Sequence, residues 1–297
     1  MTGKADCKET DNTMTSQIKT VVLLGLLTGL LMLLGGAMGG RVGLMIAFVL
    51  AMVMNVGSYW YSDKLVLSMY KARELSRGDA PHIHAVVEEL AANAGIPKPK
   101  VYLVPQDQPN AFATGRNPEN AVVAVTSGIV RILDPEELRG VIAHEIGHIV
   151  NRDILIQTIA AVLGGAIVFL ANMLQWTAIF GIGGSDDDEG ANPIAAIAMA
   201  ILAPIAATLI QMAISRSREY LADETGAKLS SKPKSLASAL GKLSNAAAQV
   251  PMKGSPATEN MFIVSPFSGG KQMANLFSTH PPVEERIRRL NQMAGGR

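Results

Sequence analysis

Long apolar runs alternate with polar stretches along this chain, and four of the runs are long enough to cross a bilayer as helices. About 20 apolar residues in a helix span the hydrocarbon core of a membrane. Only a few residues separate the first two runs, so we expect them to form a hairpin. Trp60 and Tyr61 close the second run with an aromatic pair typical of a membrane interface. The four candidate spans cover about 21–38, 42–60, 154–176 and 193–214.

Loop charges predict the orientation of these spans. Lys and Arg lie before span one, after span two and after span four, whereas the loop between spans three and four carries acidic residues at 186–189 and no Lys or Arg. The positive-inside rule therefore predicts that both termini and both polar segments are cytoplasmic. We expect an N-terminal tail, a membrane hairpin, the first part of a folded domain, a second hairpin and the second part of that domain, at 1–18, 19–60, 61–153, 154–214 and 215–297.

The polar segments carry helix and strand patterns of their own. Apolar residues at helical spacing predict helices at about 81–94, 215–229, 235–247 and 282–293, and a further helix capped by Asp134 that continues past His148. Three short β-type runs, at 101–104, 111–114 and 121–126, predict a small antiparallel sheet. Residues 250–278, rich in Gly, Pro and Ser, predict a long mobile loop. The expected fold class is a mainly α membrane protein with an α+β domain.

Composition narrows the possible partners. Apolar residues make up 48% of the chain and charged residues 17%, which favours a protein in contact with a lipid bilayer. The net charge of +1 excludes the strongly basic surface of a nucleic-acid-binding protein. The single cysteine, Cys7, excludes an internal disulfide. Nothing in the sequence indicates an oligomeric state.

A His-Glu-x-x-His pattern lies on the helix that begins near Asp134. His144 and His148 are four residues apart, so they share one helical face and can bind one zinc ion. Glu145 follows the first histidine and can act as general base on a water that zinc activates, returning the proton to the leaving amine. This pattern predicts a zinc-dependent peptide hydrolase.

A third protein ligand is expected far along the chain. Ile154 stands where one type of zinc protease has its third histidine, which excludes that type. Glu219 and Asp223 are also four apart on a predicted helix, so Glu219 could bind zinc while Asp223 accepts a hydrogen bond from a ligand histidine. The alternatives are a surface ion pair for Glu219 and a structural role for Asp223.

At these residues the chain resembles the HtpX-type membrane zinc peptidases, relatives of the integral-membrane CAAX prenyl protease. The resemblance covers essentially the whole chain, and the combination of motifs is far more specific than the zinc motif alone. The motifs are Asn-Ala-Phe-Ala-Thr-Gly at 110–115, His-Glu-Ile-Gly-His at 144–148, Ser-Arg-Ser-Arg-Glu-Tyr-Leu-Ala-Asp at 215–223 and Thr-His-Pro-Pro at 279–282.

The resemblance implies a thermolysin-like (gluzincin) catalytic core with one Zn²⁺ per chain. It implies Glu219 as the third ligand and Asp223 as the residue that orients a ligand histidine. It also implies a multi-pass enzyme of the bacterial inner membrane, acting in stress response and protein quality control. Its substrates would be misfolded or damaged membrane proteins and unfolded proteins, cleaved on the cytoplasmic side.

Three further residues are candidates for contact with substrate. His280 could stabilise the oxyanion formed during hydrolysis, or could simply order a turn beside two prolines. Asn110 and Ala111 are expected on an edge strand beside the cleft, where an extended substrate adds as another strand. Alternatively, Asn110 is a turn residue after Pro109.

Two other functions remain open at this point. One is a narrow-specificity CAAX-type processing protease that acts on prenylated proteins. The other is a non-catalytic membrane scaffold stabilised by zinc, although a structural zinc site usually has four protein ligands, often cysteines. The single cysteine argues against the scaffold.

Overall fold

The computed structural model describes residues 3–159, 216–249, 261–264 and 281–295. Its first helix, α1 (Gly3–Met69), reverses direction at Gly40, which has a φ of +55°. Asn55 Nδ2 donates a hydrogen bond to Thr28 Oγ1 at 2.9 Å across the reversal. In a straight helix these residues would lie about 40 Å apart. Helix α1 therefore consists of two arms that fold back on each other.

Among the described residues, one stretch is long and apolar enough to span a membrane. It is Gly40–Tyr61, with a mean hydropathy of 1.9, and it coincides with the second predicted span. The first predicted span is helical, while the third and fourth lie almost wholly outside the described residues. Four spans are therefore not established. Residues 154–159, predicted to begin span three, are helical and all but Leu155 are buried within the protein, where Ile154 joins the main core.

The sheet is small and mixed, so the prediction of a purely antiparallel sheet is wrong. Strands β2 and β4 run parallel, while β1 pairs with β2 and β3 pairs with β4 in the antiparallel sense. The spatial order is β1-β2-β4-β3. Every residue of β4 is buried, which suits a central strand, and β3 is left at an edge. The strands are β1 (Arg73–Glu74), β2 (Lys100–Val104), β3 (Ala111–Thr114) and β4 (Val122–Thr126).

The predicted helices of the polar segments are present. Asp134 caps α4 as expected: its Oδ1 accepts hydrogen bonds from the backbone N–H groups of Glu136 and Glu137, and Glu137 Oε2 accepts one in return from the Asp134 N–H. One apolar core joins α2, the sheet, α4, α6 and α7. The helices are α2 (Pro81–Asn93), α3 (Ser127–Ile132), α4 (Pro135–Val150), α5 (Arg216–Ser230), α6 (Pro233–Gln249) and α7 (Val283–Gly295).

Two glycines allow the backbones of α4 and α5 to approach closely. A methyl group on Gly226 would lie 2.7 Å from the backbone N of His144. A methyl group on Gly147 would lie 2.9 Å from the carbonyl oxygen of Ala222. Both distances are shorter than van der Waals contact, so glycine is required at both positions. The close approach places the first turns of α5 directly beside the histidines of α4.

We predict that Gly226→Ala lowers the free energy of unfolding by about 1–3 kcal/mol, because the added methyl must push α5 away from α4. Gly241→Ala is the matched control, since its methyl would meet only Ile287 Cδ1 at 3.9 Å. That change should cost nothing, or stabilise by up to about 1 kcal/mol through helix propensity. Denaturant unfolding of both variants in detergent, followed by circular dichroism, tests this. Equal effects would contradict the close approach.

Candidate metal centre

Three donor groups from two helices converge in the interior. His144 Nε2 and His148 Nε2, on α4, lie 3.2 Å apart. Glu219, on α5, places Oε2 3.6 Å from His144 Nε2 and Oε1 3.5 Å from His148 Nε2. All three residues are buried. The structure thus brings together the three residues that the sequence predicts as metal ligands.

The spacing of these donors fits a small divalent cation. Bonds of about 2.0–2.1 Å in tetrahedral geometry separate two ligand atoms by about 3.3 Å. The observed separations of 3.2, 3.5 and 3.6 Å bracket that value closely. The three donors therefore lie at the corners of a site that a single metal ion would fill.

Carboxylates bind the far nitrogens of both histidines. His144 Nδ1 lies 2.9 Å from Asp223 Oδ1, and His148 Nδ1 lies 3.1 Å from both oxygens of Asp153. Each carboxylate accepts the Nδ1 proton, so each Nε2 presents a lone pair to the centre. Two lone pairs and a carboxylate then face one another, an arrangement that a bound metal ion would stabilise.

Asp153 is a site residue that the sequence analysis missed. It lies on the turn after α4, five residues beyond His148, and is buried. Although burial lowers the pKa of His148, the charge and hydrogen bond of Asp153 outweigh it and raise that pKa to about 10. In the sequence, the signal for this role is a carboxylate that closely follows the zinc motif.

Arg286 is a second site residue that the sequence analysis missed. Its side chain is fully buried on α7, where its Nε and Nη2 donate to the two oxygens of Asp223 at 2.8 and 2.7 Å. Burial opposes ionisation of Asp223, but the charge of Arg286 and its hydrogen bonds hold the pKa of that carboxyl below its ordinary value. In the sequence, the signal for this role is an arginine that lies within the apolar stripe of the last helix, formed by Val283, Ile287 and Leu290.

The buried charges around the centre also favour a divalent cation. The buried carboxylates of the described residues near the centre are Glu145, Asp153, Glu219 and Asp223, and the buried guanidinium groups are Arg218 and Arg286. With both histidines neutral, the form in which they bind a metal ion, these six groups carry a net charge of −2. Buried charges are costly unless they are compensated. A divalent ion at the three donors would neutralise this net negative charge.

Glu145 lies buried beside the donors. Its Oε2 accepts a hydrogen bond of 2.8 Å from the backbone N–H of Ala113 on the edge strand β3. Burial raises the pKa of this carboxyl, although the neighbouring His144 and His148 partly oppose the effect. The carboxyl is thus oriented by the strand and is also a stronger base than an exposed glutamate.

The residues predicted to contact substrate, Asn110, Ala111 and His280, are not among the three donors. Ala111 lies on the edge strand β3, next to Asn110. The Asn110 side chain binds the backbone of residues 261–264: its Nδ2 donates to the Met261 carbonyl at 3.0 Å, and its Oδ1 accepts from the Ile263 N–H at 3.1 Å. These four residues are buried, although the sequence predicts a mobile loop there. His280 lies outside the described residues.

Comparison with known proteins agrees with this geometry. The model of peptidase family M48 matches residues 78–294, which contain the whole centre. The chain belongs to peptidase family M48. As an M48 peptidase with a metal-binding triad, it is a metalloprotease.

This M48 peptidase has relatives of nearly the same length. It is 61% identical to the protease HtpX homolog of Syntrophobacter fumaroxidans over 94% of this chain and 100% of that protein. It is 60% identical to the protease HtpX homolog of Persephonella marina, over 93% of this chain and 97% of that protein. Among solved structures it is similar to the crystal structure of S. mikatae Ste24p, with a TM-score of 0.49 and 21% identity, over 95% of this chain and 67% of that chain.

We predict that Asp153→Asn weakens Zn²⁺ affinity about 10- to 100-fold, because the His148 tautomer is then no longer held by a carboxylate. Asp107→Asn is the matched control, since Asp107 is exposed and its side chain pairs with Arg131. Titration of the purified apo-proteins with Zn²⁺ against a competing indicator gives the affinities. Equal affinities for the two variants would show that Asp153 does not support the centre.

Proposed function

We propose that the chain is a membrane-anchored zinc endopeptidase that hydrolyses misfolded, damaged or unfolded proteins at the cytoplasmic face of a bacterial inner membrane. One observation carries the proposal: the donor atoms of His144, His148 and Glu219 lie within 4.8 Å of one another beside the buried Glu145. Three convergent donors with an adjacent carboxyl group are the arrangement needed for metal-assisted hydrolysis.

The donor set favours one zinc ion per chain. Two imidazoles and one carboxylate are a catalytic zinc set, whereas structural zinc sites are closed by four protein ligands. The described residues contribute three donors, which supports a hydrolase over a zinc-stabilised scaffold. When bound, Zn²⁺ supplies Lewis acidity and makes water a stronger nucleophile near neutral pH.

The proposed general base is Glu145. Its carboxylate takes a proton from the attacking water and returns it to the leaving amine. The Ala113 N–H, 2.8 Å from Oε2, holds the carboxylate in place for both transfers. A pKa raised by burial suits a group that must both accept and return a proton.

The edge strand β3 is the proposed site for the substrate backbone. The Asn110 carbonyl accepts a hydrogen bond from the Thr126 N–H, so even-numbered residues of this stretch face β4. Backbone groups of Ala111 and Ala113 therefore face away from β4, because hydrogen-bonding directions alternate along a strand. The Ala113 N–H binds Glu145, so the groups offered to a substrate are the N–H and carbonyl of Ala111 and the carbonyl of Ala113. An extended substrate pairing with this edge would pass directly beside Glu145.

Contact with a bilayer is supported by the second arm of α1. Large apolar side chains along Gly40–Tyr61 are exposed, including Val42, Met45, Ile46 and Val53 at 63–68%. Trp60, near the end of this stretch, lies 4.7 Å from the guanidinium carbon of Arg116. An apolar surface that ends at a paired tryptophan and arginine suits a helix that enters lipid from the cytoplasmic side. The proposal takes multi-pass anchoring from the four apolar runs and cytoplasmic termini from the loop charges.

We predict that Glu145→Gln lowers cleavage of casein at least about 100-fold while zinc content stays at about one per chain. Glu284→Gln, at an exposed glutamate on α7, is the matched control and should keep full activity. A chelator should abolish wild-type cleavage, and added Zn²⁺ should restore it.

Two outcomes would contradict the proposal. If Glu145→Gln cleaved as fast as the wild type, Glu145 would not be the base. If the zinc-loaded wild type cleaved neither casein nor an unfolded membrane protein in vesicles, general proteolysis would be wrong. Cleavage of a prenylated C-terminal peptide alone would then favour the CAAX-type enzyme.

A further inference from the structure

Residues 261–264 lie directly over the metal centre. Their sequence is Met-Phe-Ile-Val, and each side chain is exposed by only 2–6%. The first three of them line the same cavity as His144, Glu145, His148 and Glu219. A run of four apolar residues is thus buried at a catalytic centre, although it lies in a segment whose composition predicts a solvated loop.

The backbone of this segment is bound by side chains from two separate elements. The amide of Asn110 binds both the Met261 carbonyl and the Ile263 N–H, at 3.0 and 3.1 Å. Arg286 Nη1 donates to the Ile263 carbonyl at 2.7 Å. Polar side chains that bind the backbone of a short apolar segment from both sides are typical of a protein holding a peptide ligand.

The side chains of the segment enter two different apolar clusters. Met261 packs in the cluster that contains Phe112 and Tyr70, beside the edge strand. Ile263 and Val264 pack in the main core. The segment therefore fills two apolar recesses, one in each cluster.

The cavity left around the donors has a volume of about 10 Å³. That is room for about one water molecule. A scissile peptide and its flanking residues cannot reach Glu145 while the segment is in place. The centre is therefore complete in its residues but closed to a peptide.

We infer that residues 261–264 occupy the place of a peptide substrate, which must displace them and which binds by the same contacts; this inference rests on the proposed function. Asn110 and Arg286 then bind the substrate backbone, and the two recesses accept apolar side chains. The substrate class is an extended segment with apolar residues two positions apart, of the kind that unfolded membrane proteins expose. Since Arg286 also binds Asp223, the same guanidinium contacts both the bound peptide and the support of His144.

The test measures binding of a fluorescent peptide, Glu-Asn-Met-Phe-Ile-Val-Ser-Pro, to the zinc-loaded full chain in detergent. Ile263→Asp places a charge at a site that is 2% exposed and should release the segment. We expect it to bind the peptide at least about tenfold more tightly than the wild type, because the fraction of open molecules rises. Ile263→Leu is the matched control and should bind like the wild type.

Equal affinity of the wild type and Ile263→Asp for the peptide would overturn the inference, as would equal binding of a version with Ser in place of Met and Ile. All chains in this binding measurement also carry Glu145→Gln, which keeps zinc but removes the proposed base, so the peptide is bound without being cleaved. The result is therefore separate from failure of the proposed function, in which the zinc-loaded wild type cleaves no protein.

A second measurement applies if Ile263→Asp does not fold. Ile263→Cys in a Cys7→Ser chain should react slowly with maleimide, and saturating peptide should accelerate the reaction about tenfold by displacing the segment. Ala239→Cys, at a fully buried core position, is the control and should not respond. An unchanged rate for Ile263→Cys in the presence of the peptide would overturn the inference.

Discussion

Two imidazole nitrogens 3.2 Å apart, with a carboxylate beside them, repel one another unless a proton or a metal ion lies between them. The rest of the domain serves to impose this arrangement. Helical spacing places His144 and His148 on one face of α4, but it does not orient their rings. Asp223 and Asp153 do so by accepting the Nδ1 protons, so that both Nε2 lone pairs turn toward one point. Without a metal ion, the same carboxylates favour a proton on His148.

The convergence also depends on backbone contact between α4 and α5. Gly226 and Gly147 remove the two side chains that would keep these helices apart. Glu219 can then reach the histidines from a position 71 residues beyond His148. The close packing of α4 and α5 therefore sets the distances between the three donor residues.

The edge strand β3 and the metal centre are linked by a short chain of contacts. Ala113 on β3 binds Glu145, and Arg286 on α7 binds both Asp223 and the carbonyl of Ile263. A peptide that takes the place of residues 261–264 would therefore change the contacts of Arg286, which also orients one of the histidine supports. In the proposed mechanism, this coupling gives a physical reason for the centre to stay closed until an apolar segment arrives.

The sequence by itself determined the features that depend on local residue spacing and on composition. These features are the zinc motif on a helix, the cap at Asp134, the apolar stretch at Gly40–Tyr61 and the pairing of Glu219 with Asp223 on one helical face. The tertiary structure alone decided the features that depend on contacts between distant segments. Strand β4 pairs in parallel with β2 and antiparallel with β3, which makes the sheet mixed. The turn after α4 brings Asp153 back to His148, and Arg286 acquires its role only where α7 meets α5. Residues 261–264 look like loop in sequence, because nothing local shows that Asn110 and Arg286 bind their backbone.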